Sequence, residues 1–221
     1  MGSKIPHLTI SLLTGLVSDT PSTTTPLSLL SSLQALEPRA SITTIDASTT
    51  ETLSTYYTLY ILTLILVDDL PEGRALTHRI DTQLLHNDPA IISAYRVLQA
   101  VWSKDYVAFH QTMQGAPWGD LTAVLAARVL QKHRTTTLSL LSTAYTSIPP
   151  ALAQKYLGIS DEARTIKMLV EENPEYGWTV SDDGGFLVRN ESVGVLGKQA
   201  SRAKEGEIGR LAGLGGFLSD V

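Results

Sequence analysis

Cysteine is missing from all 221 residues, which removes disulfides, thiolate metal sites and cysteine nucleophiles together. The same absence fits a reducing compartment, cytosol or nucleus. Basic charge is also short: 17 Lys and Arg stand against 22 Asp and Glu. The net charge of -5 supplies no overall positive field to draw the chain onto nucleic acid. Long apolar runs are lacking as well. The richest, "YYTLYILTLILV" from Tyr56 to Val67, ends at Asp68 and Asp69 after 12 residues. A membrane-spanning helix needs roughly 20, so this run reads as a buried helix. The apolar stretch before Val17 is interrupted by Pro6, His7 and Thr9 and shows no small-residue cleavage signal, so secretion is not expected.

Catalytic signals are equally sparse. The histidines His7, His78, His86, His110 and His133 form no close pair and no His-Glu metalloprotease motif. The last four are expected on helix surfaces or in ordinary hydrogen bonds. Asp68 and Asp69 follow the apolar helix and are expected to terminate and solubilise it. Ser142, Ser147 and the many threonines lack a nucleophile motif. "DDGGF" lacks the Lys-Ser/Thr ending of a phosphate loop, and its acidic pair would repel phosphate. No catalytic residue, metal ligand or cofactor-binding residue is assigned.

What is present is helical periodicity. Residues 8–17 and 27–36 read as short helices, separated by the turn-forming "SDTPSTTTP", and the Ser/Thr-rich residues 37–52 read as a loose connection. A helix over 54–67 turns at "DDLPEG" into another over 73–85. Ile91, Ile92, Tyr95, Leu98, Val101 and Trp102 form the apolar stripe of a further helix, with Tyr106, Phe109 and Met113 on a partner. Successive hairpins of this kind bury complementary faces by stacking, which gives a helical-repeat-like array. The aromatics follow these packing faces and are read as core.

Helices over 120–132 and 134–148 follow, the second stopped by Pro149-Pro150. Ala151 to Leu157 restarts a helix that Gly158 can end. Ser160 reads as the N-cap of the next, whose core face is Ala163, Ile166, Leu169 and Val170. The period then shortens: 178–180 and 186–188 read as strands around "SDDGG", with Ser147 and Ile148 available as a third. Three helices and a small hairpin make a winged-helix topology. DNA reading by its third helix is disfavoured, because Asp161, Glu162, Glu171, Glu172, Asp182 and Asp183 surround Arg164 and Lys167. Strand edges and an apolar tail favour protein contacts instead. The candidate interface residues are Val180, Phe186 and Val188, assigned to strand packing in the hairpin, and Leu211, Leu214 and Leu218, on a glycine-rich terminal helix that needs a partner to be stable.

The segments "SAYRVLQAVWSKDYVAFHQTM", "LLSTAYTSIPPALAQKYLGIS" and "YGWTVSDDGGFLV" together resemble the PCI family, over about residues 54–190. The resemblance implies a mainly α fold: a right-handed helical-repeat-like array, a winged-helix subdomain and a C-terminal helix. Its expected organisation is 1–53 for N-terminal helices and a Ser/Thr/Pro-rich connection, 54–133 for the repeats and 134–190 for the winged helix. A linker over 191–200 and a bundle helix over 201–221 complete it. It further implies a noncatalytic scaffold in the COP9 signalosome, the zinc metalloprotease complex that removes NEDD8 from cullins. The implied partners are the other PCI-domain and metalloprotease subunits, with cullin-RING ligases reached indirectly. No cofactor, nucleic acid or membrane is implied, and the expected location is nucleus and cytoplasm. The alternatives are a PCI subunit of the proteasome lid and, in another class, a winged-helix nucleic-acid-binding protein.

Overall fold

The computed structural model describes residues 8–18, 25–46, 48–181 and 185–189. Its contacts form two compact units, Met1–Arg134 and Thr135–Val221. The fold is mainly helical, with one small three-stranded sheet among the described residues.

The first unit contains α1 (Ile10–Ser18), α2 (Pro26–Ile42), α3 (Thr50–Val67), α4 (Leu70–Thr77), α5 (Thr82–Asn87), α6 (Pro89–Ser103), α7 (Tyr106–Gly115) and the start of α8 (Asp120–Ala144). Helix α3 is its centre. Every residue from Tyr56 to Leu66 is buried, so this helix has neighbours all round, packing against α1, α2, α4 and α6. Its polar groups are mostly satisfied inside that core. The Tyr56 hydroxyl donates to the Leu33 carbonyl at 2.8 Å, and the Thr63 hydroxyl to the Leu59 carbonyl at 2.7 Å. The Lys132 ammonium of α8 donates to the Leu66 carbonyl at 2.6 Å.

Aspartate starts most of the middle helices. Asp69, Asp81, Asp88 and Asp105 each accept a backbone N–H in the first turn of α4, α5, α6 and α7. Such caps satisfy amides that a helix start leaves without partners, each contributing roughly 0.5–2 kcal/mol. Asp68, next to the first of these caps, ends α3 in the left-handed conformation at φ 65°.

Three expectations change here. Residues 37–42 continue α2 instead of starting a loop, although Pro38 lies inside the helix. Tertiary anchors hold the helix up to the proline, where Leu33 accepts from Tyr56 and Glu37 accepts from the Tyr60 hydroxyl at 3.2 Å, and Ala40 is buried beyond it. Helix 73–85 is two helices, broken where Arg79 swings out to bind Glu37 and Glu72, each at 2.6 Å. Residues 120–144 form one helix, not two, because nothing between Lys132 and Thr135 interrupts the backbone ladder.

The second unit contains the rest of α8, β1 (Ser147–Ile148), α9 (Pro150–Leu157), α10 (Glu162–Val170), a 3-10 turn (Pro174–Tyr176), β2 (Trp178–Val180) and β3 (Leu187–Arg189). Pro150 occupies the first turn of α9, where its missing N–H costs nothing. Gly158 ends that helix at φ 63°, a conformation open to glycine. The cap of α10 is Asp161 and not Ser160: its carboxylate accepts from Ala163 N–H, while Thr165 is fully buried and donates back to the Asp161 carbonyl. Ala163 is consequently exposed.

The sheet is antiparallel in the order β1-β3-β2, with Ile148 opposite Leu187 and Trp178 opposite Arg189. Ile148, Trp178 and Leu187 point into a core completed by Leu138, Leu141, Ala153, Leu157 and Leu169.

Candidate interaction surfaces

Alternation along the strands divides the sheet into a buried and an open face. Ser147, Thr179 and Val188 share the open face, since Ser147 and Thr179 both pair with Val188. Phe186 lies two residues before Val188 on the same side and is 50% exposed. Val188 is 38% exposed, and Val180 at the end of β2 is 43% exposed. These three therefore do not carry the packing of the strands, as the sequence suggested. That role falls to Trp178, Leu187 and Ile148 on the reverse face. Phe186 and Val188 form a short apolar strip on the open face, while Val180, which pairs with Leu187 and so lies on the reverse side, is left exposed at the end of the outer strand β2. Apolar side chains next to unpaired strand backbone favour addition of another chain's strand or helix. Leu211, Leu214 and Leu218 lie outside the described residues.

A second exposed feature lies in the first unit and was read from the sequence as core. Trp102, in the last turn of α6, is 50% exposed, and the Arg74 guanidinium of α4 lies 6.0 Å from the ring centroid. Tyr95, Leu98, Gln99 and Ser103 line the same groove, of about 380 Å³. The sequence signal was weak: Trp102 follows the helical period of Ile91 and Leu98, and periodicity alone cannot tell what covers the end of a stripe. Val124 of α8 is also exposed, at 45%.

The polar candidates resolve into structural roles. His78 and His86 are exposed as expected, but His110 is buried at 4% exposure. His133 is partly buried, stacked on Phe109 with 3.8 Å between ring centroids. Burial, helped by the neighbouring His110 imidazole, holds the His133 pKa down to about 4. Glu37 and Glu72 clamp Arg79, and their hydrogen bonds keep that guanidinium protonated well beyond its usual range. Among the described residues no group of three or more His, Asp or Glu is placed to hold a metal ion.

The arrangement thus offers surfaces: an open sheet face in one unit and a Trp-Arg groove in the other. The profile of one protein family matches residues 51–195, from the first turn of α3 to just beyond β3. The chain belongs to the CSN8/PSMD8/EIF3K family. This is a PCI-type family. The match takes in both the groove and the sheet face and leaves α1 and α2 outside. Within the family, the chain is 29% identical over 175 residues to a protein of Emericella nidulans named COP9 signalosome complex subunit 8. That alignment covers 79% of this chain and 80% of the relative. It is 26% identical over 124 residues to the Arabidopsis thaliana protein of the same name, covering 56% of this chain and 60% of that one.

Proposed function

We propose that this chain is a noncatalytic subunit of the COP9 signalosome, corresponding to subunit 8. The observation that carries the reading is the similarity to two curated proteins of that name, one fungal and one plant, inside a matching family profile. In this reading α9, α10 and the sheet are the winged helix of a PCI domain, and the helices before them its helical array. The helix order and the β1-β3-β2 antiparallel sheet support it.

The chain works by contact. The open sheet face of Phe186 and Val188, with Val180 exposed at the end of the neighbouring edge strand, joins a neighbouring PCI subunit, because apolar side chains beside a strand edge gain both area burial and backbone hydrogen bonds there. The segment 201–221, with Leu211, Leu214 and Leu218, enters a helical bundle with other subunits. The chemistry resides in a separate zinc metalloprotease subunit that cleaves NEDD8 from cullins, and cullin-RING ligases are reached through the complex. The working location is nucleus and cytoplasm.

The test is purification of the tagged full-length chain from its native cells, followed by mass spectrometry, beside a chain lacking residues 201–221. The expected result is recovery of the other COP9 signalosome subunits, reduced by the truncation. Recovery of proteasome-lid subunits, or of neither complex, overturns the proposal.

A further inference from the structure

The groove between α4 and α6 has three properties that together specify an occupant. Its floor is apolar and close-packed. Leu98 is buried at 3% exposure, and α4 approaches it through Gly73, where an added Cβ would stand 3.0 Å from Leu98 Cδ1. Its wall is Trp102, with half of a large indole left in water. Its rim is cationic: Arg74 is exposed and, among the described residues, has the Trp102 ring for a partner and no carboxylate.

Arg79, five residues further along, makes the contrast. It is saturated by Glu37 and Glu72, which also removes Glu72 as a partner for Arg74. Among the residues lining the groove, Arg74 carries the charge. From Pro89 to Lys104 the sequence carries Arg96 and Lys104 and no Asp or Glu, in a protein of net charge -5. Exposed Trp and Arg in one concave site are the residue types that dominate binding energy at protein interfaces. An unpaired guanidinium beside an indole pairs best with a carboxylate, held through two parallel hydrogen bonds.

We propose that this groove docks an acidic peptide segment of a partner protein. An apolar or aromatic side chain of the segment rests on Trp102 and Leu98, and a carboxylate one or two residues away pairs with Arg74. A volume of about 380 Å³ accepts a few side chains of a linear segment, at the small end of ligand pockets. Tyr95 and Gln99 at the rim can hydrogen-bond its backbone. A single-stranded nucleic acid, which also stacks on aromatic rings, fits less well. A chain of phosphates would meet the protein's net charge of -5, whereas a single carboxylate meets Arg74 alone. The proposal rests on the groove alone and holds whichever complex the chain enters.

The experiment probes an array of randomised twelve-residue peptides with the full-length chain. Peptides that bind are then titrated by fluorescence anisotropy against the wild type, Arg74→Gln, Arg74→Lys and Trp102→Ala, with a labelled oligothymidine as a parallel probe. Both side chains are exposed, so the variants should keep the wild-type melting curve, which circular dichroism checks. The proposal expects binding peptides to carry Asp or Glu within two residues of Leu, Phe or Trp. It expects about tenfold weaker binding for Arg74→Gln and for peptides with Asn or Gln in place of the acids, partial rescue by Arg74→Lys, and loss with Trp102→Ala. It is overturned if acids are not enriched, if binding survives both Arg74→Gln and Trp102→Ala, or if the oligothymidine binds the groove more tightly than the peptides.

Discussion

Acidification should weaken the first unit through one imidazole. His133 packs its ring flat on Phe109, with His110 edge-on at 5.8 Å between centroids and Tyr106 at 5.5 Å. Its Nδ1 is buried without a hydrogen-bond partner among the described residues, so a proton placed there would find no acceptor. Burial first, and the His110 imidazole second, lower its pKa from 6.5 to about 4. The ring is therefore neutral in the fold, while the unfolded chain takes up a proton below pH 6.5. Between about pH 6.5 and pH 4 the unfolded state binds more protons, so stability falls as pH falls through that window. At pH 5 the gap to the unfolded pKa is one and a half pH units, about 2 kcal/mol at 1.36 kcal/mol per unit. Part of the ring faces solvent, and screening there reduces the figure to about 1 kcal/mol.

Replacing His133 by Phe keeps an aromatic ring on Phe109 and removes the titration. Urea unfolding at pH 7 and pH 5, followed by tryptophan fluorescence and circular dichroism, should show the wild type losing about 1 kcal/mol more than the variant across that interval. An equal loss in both proteins, or an NMR titration placing His133 near 6.5, refutes the reasoning.

Tyr56→Phe removes the hydroxyl bonded to the Leu33 carbonyl in a fully buried site and should cost about 1 kcal/mol by urea unfolding. Gly73→Ala drives a methyl against Leu98 and should cost about 1–2 kcal/mol, partly recovered when Leu98 is shortened to Val, as read by thermal melting. In the second unit Leu187→Ala opens the core beneath the sheet and should cost about 3 kcal/mol, whereas Phe186→Ser with Val188→Ser, on the open face, should leave stability within about 0.5 kcal/mol per site. A melting curve comparing these two variants separates the buried face from the open one.

The parts of this fold that could be read from sequence were those governed by local chemistry. The continuous apolar run at 56–67 required a helix buried on all sides, and Pro149, Pro150 and Gly158 bracketed α9. The strand at 178–180 and the short strand at Ser147–Ile148 followed from extended residues flanked by turn formers. Tertiary contacts decided the rest. Pro38 lies inside α2, which the Tyr56 and Tyr60 hydroxyls hold at Leu33 and Glu37 just before it and the buried Ala40 packs just beyond it. Arg79 broke an expected helix because two glutamates from other turns were in reach. On the surface, strand alternation alone could not say which face was inward. Phe186 and Val188 seemed as good a core as Trp178 and Leu187, and the register turned Val188 away from the buried Leu187 and Ile148; Val180 shares the side of Leu187 but is exposed at the end of its strand. Trp102 shows the same limit at a helix end, where a regular apolar stripe runs out beside Arg74.

The central claim, a noncatalytic partner of a deneddylating complex, is tested most directly by the activity that travels with the chain. The tagged full-length protein and its Phe186→Ser, Val188→Ser variant are purified from native cells, and the eluates are given NEDD8-modified cullin with and without a zinc chelator. The account predicts cleavage in the wild-type eluate, abolished by the chelator and reduced in the variant eluate, while the chain purified alone cleaves nothing. A wild-type eluate with no deneddylating activity, or an isolated chain that cleaves the substrate itself, would contradict it.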